Sequence, residues 1–342
     1  MNRVQYRRIN VFILGLVAAM VIQFGSYPVF GQDDSLVNGF QLIPGVIVTS
    51  DRSQAYVMNA KGGIDAIDLS QGTVVWTTKE ASKPLGLQGN LLISQVEPSR
   101  AGTKLGVVAL NIQERGKQMV AGSVKLSDGV TVSIDETLDS SFVVRVQPSG
   151  ENTVFSWDYI EHPIQGIPPD DPESSEMSLE VMPEAAADLK ASGALRMNLK
   201  SGKISSLPKG TKSFAPAPSA LTSVVAEERI AGVTGDQFDS ADGRHILSSE
   251  RIANDSVWEK YRWTIFNRST GERLGEIKSH VSASPFFIAD SKVIYETTPS
   301  LRQTKSGLVE EPAKIKAVDF NTGQELWSKQ IRDTTFRGPY PP

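Results

Sequence analysis

Two thirteen-residue stretches far apart in the chain match without a gap. Ile64-Asp65-Ala66-Ile67-Asp68-Leu69-Ser70-Gln71-Gly72-Thr73-Val74-Val75-Trp76 and Ile315-Lys316-Ala317-Val318-Asp319-Phe320-Asn321-Thr322-Gly323-Gln324-Glu325-Leu326-Trp327 share Ala, Asp, Gly and Trp in register. A pattern recurring at such a distance marks a repeat architecture, in which each unit buries its faces only against its neighbours.

Each part of the unit has a physical role. The apolar residues before the turn predict a strand buried on one or both faces. Asp68 and Asp319 stand four residues before the glycine, where a short acceptor side chain bonds turn N–H groups; Gly72 and Gly323 supply the positive φ that reverses the chain. A second strand then ends in Trp76 or Trp327, whose indole is placed to cover the gap to the next sheet. Weaker copies put Asn198 with Gly202 and Asn267 with Gly271 at the turn, and a degenerate one runs over Asn111–Gly116 without the Trp.

Grouped around these turns, the chain predicts five sets of four strands. The first covers 45–49, 55–58, 64–69 and 74–77, the second 85–87, 91–95, 105–110 and 118–124. The third takes 130–134, 142–146, 194–199 and 203–207, the fourth 231–238, 244–250, 261–267 and 272–277. The fifth takes 284–289, 292–296, 313–320 and 325–331. Four short strands per unit is the sequence signature of a propeller blade. Spacings between the turn glycines are 44, 86, 69 and 52 residues, and the 86-residue interval leaves room for as many as seven blades. The expected fold is therefore all-β, a single β-propeller of four-stranded blades over 45–332.

Within the third set, 162–192 holds Pro163, Pro168, Pro169, Pro172 and Pro183 among seven acids and a single lysine, Lys190. It reads as an acidic excursion, with a short helix at 184–191 behind Pro183, rather than a central strand.

The N-terminus reads as a secretory leader, with Arg3, Arg7 and Arg8 before an apolar run from Val11 to Phe24. Residues 1–31 are thus expected to be removed, with an uncleaved anchor as the alternative; 32–44 is expected to be a linker and 333–342 a tail. Without the leader the chain has 32 basic against 39 acidic side chains, a net charge of −7. That balance argues against nucleic acid, and it leaves contact with a membrane only through a retained anchor. The chain has no cysteine, which excludes disulfides, thiolate metal sites, a lipidated cysteine and a cysteine nucleophile.

The segments 66–76 and 317–327 resemble the tryptophan-docking repeat of the PQQ-like propeller superfamily. That group includes pyrroloquinoline-quinone dehydrogenases and noncatalytic periplasmic relatives of the BamB type, and the chain is closer in pattern to the latter. The resemblance implies the fold. It does not imply the quinone, because the matching residues are the structural turn and the docking Trp: Asp68, Gly72, Trp76, Asn198, Gly202, Asn267, Gly271, Asp319, Gly323 and Trp327.

No catalytic set emerges from the sequence. The vicinal disulfide of the alcohol-oxidising quinoproteins cannot form here. Asp236, Asp239 and Asp242 lack the spacing of a calcium loop, and Asp242-Gly243 reads as a hairpin turn. His162, His245 and His280 are singletons without metal-ligand spacing. Trp157, Trp258 and Trp263, with Tyr159 and Tyr261, either line a sugar or peptide surface or pack between blades. The expectation is an exported protein, periplasmic, anchored in the inner membrane or secreted. It acts as a noncatalytic scaffold that binds an envelope protein or polymer through rim loops, with no cofactor and no metal. The alternative is a quinone-dependent dehydrogenase using PQQ and calcium, or a sugar-acting propeller enzyme.

Overall fold

The fold is given by a computed structural model, which describes residues 39–96, 104–125, 138–163, 188–207, 226, 229–252, 258–305 and 307–332. Every regular element among them is a β-strand. The first sheet is β1 (Gly39–Ile43), β2 (Val46–Thr49), β3 (Gln54–Met58), β4 (Ile64–Asp68) and β5 (Thr73–Thr78). The second is β6 (Lys83–Gln88), β7 (Leu91–Val96), β8 (Lys104–Asn111) and β9 (Lys117–Lys125). The third is β10 (Leu138–Ser149), β11 (Asn152–Pro163), β12 (Asp188–Asn198) and β13 (Ile204–Ser206). The fourth is β14 (Asp236–Asp239), β15 (His245–Arg251), β16 (Tyr261–Asn267) and β17 (Arg273–Ser279). The fifth is β18 (Phe286–Ala289), β19 (Lys292–Thr297), β22 (Lys314–Asp319) and β23 (Glu325–Gln330). Between β19 and β22 the chain forms a separate hairpin, β20 (Ser300–Thr304) and β21 (Gly307–Glu311). Within each sheet the strands follow sequence order and pair antiparallel.

One five-stranded and four four-stranded antiparallel sheets thus make an all-β, propeller-like fold. Apolar side chains from both faces of a sheet pack on its two neighbours, because alternate residues of a strand point to opposite faces. Ile47, Tyr56, Ile64 and Trp76 of the first sheet meet Leu87, Leu92 and Val108 of the second. Val46, Val48, Val57 and Ile67, on the opposite face, meet Phe287, Ile294, Ile315 and Ala317 of the fifth. Further clusters join the second sheet to the third and the fourth to the fifth. Full burial of each such side chain contributes on the order of 1.5–3 kcal/mol, so these seams hold the sheets side by side. The first and last sheets are also tied by an isolated bridge, Asn59 with Ile331.

Four sequence expectations need correction. Residues 39–43, expected within a linker, form β1, because Gly39, Phe40 and Gln41 find ladder partners in Thr49, Val48 and Ile47. The third sheet uses β11, which the sequence reading passed over. Residues 142–146, expected as the second strand, belong to β10, the first; the strand expected at 130–134 lies outside the described residues. The excursion expected at 162–192 is shorter, because β11 continues to Pro163 and β12 begins at Asp188. The helix expected at 184–191 is contradicted where Asp188–Ala191 is strand. There the ladder to β11, with Ile160 opposite Leu189 and Tyr159 opposite Ala191, overrides the helical preference of an Ala-rich run. The 86-residue interval holds long strands in place of a sixth sheet among the described residues.

Candidate functional site

The repeat residues sit together at the turns between the last two strands of each sheet. Asp68 Oδ1 accepts the N–H of Ser70 (2.8 Å) and of Gln71 (3.2 Å), while Gly72 N–H donates to the Asp68 carbonyl at 2.7 Å. Asp319 does the same for Asn321 and Thr322 (both 2.9 Å). Asn198 and Asn267 do so through Oδ1 in the third and fourth sheets. The Ser70 hydroxyl and turn N–H groups hold Asp68 below the usual carboxylate range, as the Ser291 hydroxyl and turn N–H groups hold Asp319. Gly72, Gly202, Gly271 and Gly323 have φ between +68° and +71°. The second turn closes with Gly116 N–H on the Asn111 carbonyl (2.9 Å), and its extra residue, Arg115, sits at φ +56°.

A β-bulge then aims the docking residue. In the first sheet Ala66 pairs with Trp76 and Ile67 with Val74, so Val75 is left over. The same shift leaves out Met119, Leu274 and Leu326 in the second, fourth and fifth sheets. Each bulged residue is thrust out of the ladder. Val75, Met119 and Leu326 are about half exposed accordingly, and the following residue turns toward the next sheet. Trp327 lies on the turn of the first sheet, its indole N–H donating to the Leu69 carbonyl at 3.3 Å. A methyl on Gly72 would stand 2.8 Å from Trp327 Cβ and closer still to the ring. Trp76 lies likewise on Gly116, whose added Cβ would come 2.7 Å from Cζ3. Val120 holds the place at the next seam, 3.0 Å from an added Cβ on Gly202. In the fourth sheet the place is taken by Gly275, and Phe320 from the fifth sheet's turn closes over it.

These short turns all emerge on one face of the assembly. In an antiparallel sheet of four strands the first and third connections share one end, and the middle connection leaves from the other. On the first face no connection exceeds five residues. At the opposite face the strand ends are separated by longer stretches of sequence; among the described residues these include 280–285 and the β20–β21 hairpin between β19 and β22.

On the short-turn face, near the inner edges of the sheets, charged groups cross between sheets. Arg52, held at φ +60°, donates to the Ile288 carbonyl at 3.0 Å and stands 2.9 Å from Asp242 Oδ2. Burial pushes the Asp242 carboxyl up, but His245, Ser240 and Arg52 outweigh it and hold it below the usual range. Ser240, Asp242 and His245 are the residue types of a hydrolytic triad, yet their bonds run in the wrong order. The Ser240 hydroxyl donates to Asp242 Oδ1 (2.7 Å) and accepts the backbone N–H of His245 (2.9 Å), so the imidazole is not its hydrogen-bond partner. Asp239 pairs with Arg268 and Asp236 is exposed, so the three carboxylates of 236–242 do not converge. No group of three metal-ligating side chains occurs among the described residues.

The inner edge of the first sheet is β1 itself. Phe40 meets Phe287 of the fifth sheet edge-on at 5.3 Å, and an added Cβ on Gly39 would reach Leu87 of the second at 2.9 Å. β1 thus lies against both neighbours of the first sheet.

The long-loop face holds a different cluster. Trp258 stacks on His280 with ring centroids 4.6 Å apart and planes 13° from parallel, and the Arg302 guanidinium lies 5.2 Å from the Trp258 centroid. Burial, then the charges of Lys316, Arg302 and Lys314 against that of Glu311, push the His280 pKa down to about 4. Lys314 bonds Glu311 at 2.9 Å and holds its carboxyl low. The stack fastens the β20–β21 hairpin to the fourth sheet while Leu301, Leu308 and Val309 remain 66 %, 66 % and 41 % exposed. Trp263 is fully buried, donating to the Val281 and Ser282 carbonyls (both 3.1 Å), and Tyr261 packs beside it. The side chains of Trp157, Tyr159 and His162 lie outside the described residues. An open cleft of about 260 Å³ lies on the fourth sheet's face away from the fifth, where Arg262 faces Glu250 and Arg273 pairs with Glu276.

The sequence reading missed the hairpin and its stack; the turn dipeptide Ser306-Gly307 was the local signal for it. No protein-family model and no curated protein sequence matches the chain. Among solved structures it is similar to a europium-containing methanol dehydrogenase, at 12% identity over 84% of this chain and 68% of that one, with a TM-score of 0.25. The fold assignment rests on the sheets and turns themselves.

Proposed function

We propose that this chain is an exported, noncatalytic propeller of the PQQ-like, BamB-like kind that binds a protein or polymer of the cell envelope through its long-loop face. The observation that carries the reading is the asymmetry of the two faces. Tight turns and an internally neutralised Arg52–Asp242 contact make one face self-contained, while the other carries the β20–β21 hairpin with the most exposed leucines among the described residues. Rigid scaffolds place recognition on such loops.

Two measurements test this. Calorimetry of the purified exported chain with PQQ and calcium is expected to show no saturable heat; stoichiometric binding would sink the proposal. Capture from envelope extract is expected to recover one reproducible partner. That partner should persist when exposed short-turn residues such as Gln71 and Gln324 are replaced by Ala, and be lost when the hairpin at 300–311 is replaced by a Gly-Ser link. Equal recovery by both variants overturns the assignment of the face.

A further inference from the structure

Resting on that reading, we infer that the β20–β21 hairpin is the docking element and that it takes an extended, acidic segment of a partner protein, added as a strand along β20. The hairpin is not part of a blade. The fifth sheet is complete as β18, β19, β22 and β23, and among the described residues β20 and β21 pair only with each other. Among the described residues neither outer edge has a third strand beside it, which leaves a template for strand addition. Natural edges are usually blunted or covered. This one has Leu301 and Leu308, the most exposed large apolar side chains among the described residues, on the same face of the pair.

Charge selects the edge and the partner. β20 with its turn carries Arg302 and Lys305 and no acid, whereas β21 carries Glu310 and Glu311 and no base. Lys314 and Lys316 at the hairpin's root add to the cationic surroundings that depress His280. An acidic strand beside β20 meets opposite charge, and beside β21 it meets its own sign. A second copy of this chain fits poorly. Antiparallel pairing of β20 with itself about its central residue sets Arg302 against Arg302. The Arg302–Trp258–His280 stack fixes the hairpin before a partner arrives, so little order remains to be imposed on binding.

The test uses the exported chain and two fluorescein-labelled ten-residue peptides, one alternating Glu with Val and one alternating Lys with Val, read by anisotropy. The Glu–Val peptide is expected to bind saturably and at least tenfold more tightly than the Lys–Val peptide, with a preference that shrinks in high salt. The double variant Leu301→Thr/Leu308→Thr should weaken it at least tenfold with an unchanged Tm, and Lys305→Glu should reverse the preference. The inference fails on any of four results: no saturable binding of the Glu–Val peptide; equal binding of both peptides; dimerisation of the chain that the double variant abolishes; or binding to vesicles of anionic phospholipid in place of either peptide. If the double variant still captures the envelope partner, this inference falls while the proposed binding function stands.

Discussion

The two seams of the fifth sheet fill the same space from opposite sides. Where the fifth sheet meets the first, Trp327 comes from the outer strand and lies over a turn glycine, Gly72. Where the fourth meets the fifth, the outer strand offers Gly275 and the turn offers Phe320, which covers it; the Glu276 N–H then donates to the Phe320 carbonyl at 3.2 Å. A seam of this kind needs one large ring and one residue without a side chain, and the fold does not care which sheet supplies which. Gly323 shows the other side of the exchange. It has the same φ of +71° as Gly72, yet an added Cβ there would meet nothing within 4 Å.

The largest expected effect breaks a Trp-docked seam outright. Trp76 is 8 % exposed, and Trp76→Ala should cost about 4 kcal/mol, measured as a shift in the urea midpoint; a loss under about 1 kcal/mol would show that the seam does not depend on it. Next, Gly72→Ala and Gly323→Ala separate docking from backbone. Both pay the left-handed cost of about 1 kcal/mol, and only Gly72→Ala also displaces the indole, so about 3 against about 1 kcal/mol is expected. Equal losses would mean that the turn alone sets the cost.

The fourth sheet, docked without a Trp, leans on Arg52–Asp242. Asp242→Ala leaves a guanidinium with little solvent and no counter-ion, and should cost about 2–3 kcal/mol at pH 7. Because the Asp242 pKa is depressed on folding, its contribution is present above the ordinary carboxylate value and is lost as pH falls through its folded value. Thermal melts of wild type and variant should therefore converge in strong acid, and a constant gap down to pH 2 would contradict the ion pair. The smallest effect concerns His280. The folded chain resists its protonation, so the unfolded chain binds more protons between pH 6.5 and about 4, and stability should decline across that window. His280→Phe keeps a ring on Trp258 and should flatten the decline; an unchanged slope would place its origin elsewhere.

Much of this was legible in the sequence because the repeat is local. Asp68, Gly72 and the strands around them follow from period-two patterning and turn chemistry, and the second, fourth and fifth sheets lie within a few residues of their expected places. β1 was not legible, since five residues after a polar stretch become a strand only by pairing with 46–49. Phe320 as a docking ring was hidden for a similar reason: its partner is the absence of a side chain at Gly275, forty-five residues earlier. In the third sheet, attention to the prolines concealed β11, although Thr153, Phe155 and Val154 carry strand-forming side chains just past the Gly150 turn. The hairpin escaped because its leucines face solvent and so obey no burial pattern.

The direction in which β1 runs fixes where the described chain enters the fold. Gly39 pairs with Thr49, so it enters at the short-turn face, and the β20–β21 hairpin stands at the opposite one. A label attached at Gly39 and a ligand on the hairpin would therefore lie a full strand length apart.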